Sequence, residues 1–94
     1  MEILQVVDEL VVTRRIPGLY GASLRIMRDA KGKLSVATDP VGVPPGKWVF
    51  TASGSAARYA MGNYKVLTDL AIGGIIDQWD TEEAGDSPPA KKVA

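Results

Sequence analysis

The sequence predicts an all-β domain: a small closed barrel of five short strands, with one short helix before the last. Three observations predict it. Apolar residues alternate with polar ones at a period of two in short runs. Segments rich in Gly and Pro separate those runs. One stretch alone, Ser55 to Met61, has a helical composition. Closure into a barrel removes the exposed edges that five short strands would otherwise leave.

The first strand is read from Leu4 to Val12, where Leu4, Val6, Leu10 and Val12 occupy one face. Asp8 interrupts that face, so a bulge or a strand end is expected there. Arg14 to Gly21 carries Pro17, Gly18 and Gly21 and reads as a loop. A hairpin follows. Leu24 and Ile26 alternate with Arg25 and Arg28 in its first arm, and Leu34 and Val36 alternate with Ser35 in its second. Asp29-Ala30-Lys31-Gly32-Lys33 is its turn, with Gly32 free to take a positive φ. Asp39 to Gly46 holds three prolines and two glycines, which neither a helix nor a central strand tolerates, so it is a stiff loop. Trp48-Val49-Phe50-Thr51 is β-branched and aromatic and forms the fourth strand, with Trp48 and Phe50 expected in the core. Ser53 or Ser55 is placed to cap the helix, and Gly62 to stop it. Leu70 to Ile76 is the last strand, kinked at Gly73-Gly74. The topology is OB-like. Residues 1–80 form the domain, and residues 81–94 form a disordered polar tail whose only large aliphatic residue is a valine.

Composition narrows the function. The chain has 94 residues, with 11 Lys+Arg against 11 Asp+Glu, so it lacks the basic excess of an electrostatic nucleic-acid binder. The balance is not a cancellation against the tail, because residues 1–80 carry nine basic and eight acidic side chains. Cys and His are absent. That excludes thiol and His-centred catalysis, disulfides and the usual zinc sites. Met1-Glu2-Ile3 lacks a basic stretch before an apolar run, and the longest uncharged stretch is ten residues, so neither an export signal nor a membrane span is expected. A 94-residue domain without staples is marginal alone, and oligomerisation is a common remedy.

The remaining candidates for chemistry are sparse. The carboxylates stand singly at turns or strand ends, without a metal-ligand loop. Ser53-Gly54-Ser55 lacks the G-x-S-x-G pattern and any His base. Its readings are helix capping, an anion-binding turn or contact with a pore. No catalytic residue, metal site or cofactor is expected. Arg58 follows a run of small residues, so its long side chain reaches across a close contact. Its candidate partners are Asp39 and Asp69, on the same or a neighbouring chain, or backbone carbonyls.

Several short motifs recur here in a specific order: Thr13-Arg14-Arg15, Asp39-Pro40-Val41-Gly42, Gly46-Lys47-Trp48-Val49-Phe50, Gly54 to Arg58, and Asp69 to Ile72 with Gly74-Ile75-Ile76-Asp77. With these, residues 1–80 resemble the pentamer-forming CcmL/EutN family, the vertex proteins of bacterial microcompartment shells, and most of all those of the alpha-type carboxysome. The loop Val43-Pro44-Pro45-Gly46 is more proline-rich than its counterpart in many relatives. The resemblance implies a cyclic pentamer that caps shell vertices beside hexameric shell proteins, in a carboxysome in the bacterial cytoplasm. The enclosed cargo would be ribulose bisphosphate carboxylase with carbonic anhydrase. It implies a narrow pore on the five-fold axis lined by Ser53, Gly54 and Ser55, and no chemistry by the chain itself; the subunit interface using Arg58, Asp39 and Asp69 is expected from the residues alone. The alternative is an OB-type module that binds single-stranded nucleic acid by stacking bases on aromatics.

Overall fold

A computed structural model describes residues 1–78; the expected tail lies outside the described residues. The strands are β1 (Glu2–Glu9), β2 (Leu24–Arg28), β3 (Leu34–Thr38), β4 (Trp48–Ser53) and β5 (Leu70–Ile75), with the helix α1 (Ser55–Ala60) between β4 and β5. They close into a barrel in the order β1-β2-β3-β5-β4, with β4 returning to β1. All pairings are antiparallel except β3 with β5, which meet through a single parallel bridge, Thr38 to Ala71. Side chains reinforce that thin seam. The Thr38 hydroxyl lies 3.2 Å from the Thr68 hydroxyl, and both donate to the Leu70 carbonyl, at 3.2 and 2.9 Å.

The core holds Leu4, Val6, Met27, Ala37, Val43, Val49 and Ile72. Its membership corrects three expected faces. In β1 the register shifts between Val6 and Asp8, so the bulge expected near Asp8 is present. The strand then ends at Glu9, leaving Leu10 and Val12 beyond it. In the hairpin Leu24 is buried as expected, but the rest of the expected face is reversed. Met27 and Ala37 enter the core, whereas Leu34 and Val36 point to solvent. A small barrel has little interior width, and with Met27, Val43, Val49 and Ile72 already inside, β3 contributes the small Ala37. In β4, Val49 and Thr51 are fully buried, and Phe50 lies on the outer surface.

Phe50 explains the two glycines of β5. Its ring lies so close to Gly73 and Gly74 that a Cβ on either would sit 2.4 or 2.6 Å from a ring carbon. The register between β4 and β5 shifts here, since Phe50 faces Gly74 and Thr51 faces Ile72. The expected kink is therefore a bulge with Gly73 as the extra residue. The β2–β3 turn also holds as expected. The Asp29 carboxylate accepts the backbone N–H groups of Lys31 and Lys33 at 2.8 and 2.9 Å, and Gly32 takes φ 89°.

Candidate functional site

Two loop systems at strand ends carry the residues singled out in the sequence. The first is Asp39 to Gly46. Asp39 is buried, and its carboxylate organises the loop. Oδ1 accepts the N–H groups of Val41 and Gly42, each at 2.8 Å, and Oδ2 accepts that of Val43 at 2.7 Å. Oδ2 also faces Arg25 Nε at 3.2 Å. Three N–H donors and the facing guanidinium surround the carboxylate, which has no exposed surface. Asp39 therefore has no capacity left for Arg58. Its role is internal: it folds the proline loop back so that Val43 enters the core. Arg25 completes the cluster by donating to the carbonyls of Val43 and Leu24, at 3.0 and 3.2 Å. Reading Arg25 as the polar position of an alternating strand missed this pair. The local signal reached only the loop, because an Asp followed by a Pro/Gly loop commonly bonds the backbone ahead of it; the partner Arg25 carried none.

The second system is Ser53 to Arg58. Ser53 ends β4, opposite Leu70. Gly54 is the N-cap of α1, with φ 64° and ψ −146°, a conformation open essentially to glycine alone. Its N–H donates to the Asp69 carbonyl at 2.9 Å, and its carbonyl accepts from Ala57 at 3.1 Å. No side chain caps the helix. The capping expected of Ser53 or Ser55 is thus replaced by the glycine backbone, because Gly54 itself occupies the cap. Both serines are exposed, and neither hydroxyl bonds to another described residue.

Ala57 is fully buried, while Arg58 and Asp69 are exposed. Arg58 and Asp69 line one open pocket of about 290 Å³ with Leu67 and Thr68. Among the described residues neither charged side chain has an ion-pair or hydrogen-bond partner. The structure therefore brings Arg58 and Asp69 together on one surface and leaves both groups available. A second groove of about 240 Å³ continues from Leu67, Thr68 and Asp69 to Leu19, Leu24, Val36, Ala37 and Thr38.

An OB-type nucleic-acid module reads its ligand on the face of strands 2 and 3. The corresponding outer face here carries Leu34 and Val36, and Arg25 is turned inward to Asp39. Aromatic stacking on that face is absent among the described residues. No group of three or more His, Cys, Asp or Glu among them is arranged to hold a metal ion. No helix among them is long and apolar enough to cross a membrane.

A closed barrel with an internally saturated loop and an unsaturated turn defines a class of small structural β-barrel whose free surface groups suit assembly. The chain belongs to the family described as "Ethanolamine utilisation protein EutN/carboxysome", which matches residues 1–77. It is 63% identical over 81 residues to the carboxysome shell vertex protein CsoS4B of Halothiobacillus neapolitanus, covering 86% of this chain and 100% of that protein. The solved structure of CsoS4B from the same organism superposes with a TM-score of 0.78 at 64% identity, covering 82% of this chain and 99% of the other. A pentameric microcompartment shell protein, GrpN from Rhodospirillum rubrum, matches at TM-score 0.74 and 29% identity, over 86% of this chain and 99% of that one.

Proposed function

We propose that this chain is a structural vertex protein of a carboxysome shell: a ring of five copies that closes the shell's vertices and meets hexameric shell proteins around its rim. The observation that carries this reading is the 63% identity to a carboxysome shell vertex protein over that protein's whole length. The fold supports it. A head-to-tail ring needs free surface groups on separate patches, and Arg58, Asp69 and the two serines keep theirs. The chain performs no catalysis and needs no cofactor; its role is to complete a closed surface.

In this ring Ser53, Gly54 and Ser55 line a narrow polar opening on the axis, and Arg58 and Asp69 make contacts between copies. Asp39 acts at the interface only indirectly, by holding the shape of its loop. The exposed hydroxyls and the glycine-only turn support the axial placement. The test is reconstitution with hexameric shell proteins. Shells assembled without this chain should stay open to a large solute at their vertices, and adding the chain should seal them. Shells that seal equally well without it would overturn the vertex role. An electron-microscopy map of the ring tests the pore, which fails if Ser53 and Ser55 lie away from the axis.

A further inference from the structure

The helix α1 is tied to the barrel by one buried residue, Ala57, and turns the rest of its surface outward. Just past it the chain reverses. The Gly62 N–H donates to the Tyr59 carbonyl at 2.9 Å, and Gly62 takes φ 81°. That reversal stacks Tyr59 on Tyr64, with ring centroids 6.4 Å apart and planes 27° from parallel. The two residues are 71% and 59% exposed. Among the described residues their side chains have no partner but each other. Paired rings left in water gain when an apolar group covers them. The pair also has a sign: residues 59–68 carry a single charge, Lys65, which is exposed and has no ion-pair partner among the described residues.

The chain itself carries a complementary segment. Sixteen residues, 79–94, follow the described ones. Within them Pro88-Pro89 is preceded by Asp80, Glu82, Glu83 and Asp86, with no cation from residue 79 to residue 89. Aromatic surfaces suit proline pairs, because the ring is apolar and its fixed φ leaves little chain entropy to lose. The span is short enough. β5 ends beside the start of β4, since Ile75 faces Val49 and the Ile76 N–H donates to the Trp48 carbonyl. α1 follows the other end of β4, at Ser53. The segment therefore has to travel the length of β4, about 20 Å for six residues. Gln78 to Pro88 reaches up to about 33 Å when extended. A tether this short gives the prolines a local concentration in the millimolar range, so a weak contact is enough.

We propose that Tyr59 and Tyr64 seat the proline pair Pro88-Pro89 of the same copy, with Asp86 set against Lys65. The seat needs no second copy, so it stands or falls separately from the ring.

The chain has no cysteine, so Ser87→Cys takes a single nitroxide label beside the proline pair. In the otherwise unaltered full chain, electron paramagnetic resonance should show an immobilised component on the order of half the signal. Tyr59→Ala with Tyr64→Ala should abolish it while circular dichroism shows the barrel intact. Pro88→Ser with Pro89→Ser should abolish it equally, and these positions lie outside the barrel, so the test survives if the tyrosine variant misfolds. Lys65→Gln should lower the ratio of immobilised to mobile label about two- to fivefold; an unchanged ratio would remove Asp86 and Lys65 from the seat. A label that is wholly mobile in the unaltered chain would overturn the proposal. So would an immobilised component that survives either double substitution. Immobilisation regained when the labelled tyrosine variant is mixed with excess unlabelled unaltered chain would place the seat on a neighbouring copy and overturn the assignment to the same one.

Discussion

The loop from Asp39 to Gly46 and the turn from Ser53 to Arg58 both cross from one strand end to the next element, yet they use their polar groups in opposite ways. In the first, one carboxylate holds three backbone N–H groups and a guanidinium of the same chain. In the second, a glycine backbone makes the turn, and two hydroxyls and an Arg side chain have no partner among the described residues. A segment with all its polar capacity satisfied internally serves stability. One with capacity left over is available to a neighbour. Substitutions in the two should therefore separate into those that melt the barrel and those that loosen the assembly.

The largest effect is expected at Asp39. Asp39→Ala strands the half-buried Arg25 and three loop N–H groups together. Removing one partner of a buried pair costs about 3–5 kcal/mol, enough to lower the melting temperature of a domain this size by more than about 12 °C. A shift of a few degrees would place the loop among the dispensable parts of the fold. Arg58→Ala should act on the other side of the comparison. The exposed guanidinium has no partner among the described residues, so the melting of dissociated chains should hardly change. The ring should weaken by about 2 kcal/mol if Arg58 anchors the contact, read from native mass spectra on dilution. Equal effects of Asp39→Ala and Arg58→Ala on monomer melting would erase the distinction.

Gly73→Ala sharpens the account of the outer face. Its Cβ would collide with the Phe50 ring, an overpacking penalty of about 1–3 kcal/mol. Phe50→Leu in the same chain should return part of it. A loss that Phe50→Leu leaves untouched would trace to the bulge backbone instead. Smaller still is the effect of Ser55→Ala, which should move stability by less than about 0.5 kcal/mol, because no serine caps α1. A capping serine would cost about 1 kcal/mol on removal. The smallest effect concerns acid. The backbone N–H of Lys33, opposed by partial desolvation and helped by that of Lys31, holds the Asp29 carboxyl below its ordinary 3.8. A lowered carboxyl pKa stabilises the fold above the ordinary value, and that contribution is lost as pH falls through the lowered one. An NMR titration of Asp29 with a midpoint at or above 3.8 would contradict the turn geometry.

The sequence made the strand number, the one α-helix and the turn positions legible, because Gly, Pro and period-two runs act locally; the 3-10 turn at Pro17–Leu19 reads as loop. Gly32 and Gly62 are where turn chemistry put them, and both take positive φ. The faces of β2, β3 and β4 were not legible. Alternation shows that a strand has two different faces and not which of them a narrow barrel takes inside. Leu34 and Val36 outside with Ala37 inside reverses the usual reading, and it does so in a chain whose relatives include pentameric shell proteins. For the candidate site, the local order from Ser53 to Arg58 marked the turn correctly. The Asp39–Arg25 pair joins residues 14 positions apart in sequence on different elements, and nothing local announces it.

Native mass spectrometry of the intact chain, followed across dilution, tests the central claim most directly. The account predicts a dominant species of five copies that dissociates to folded monomers on dilution. A chain that remains monomeric at high concentration, or that stops at a two-fold dimer, would contradict it.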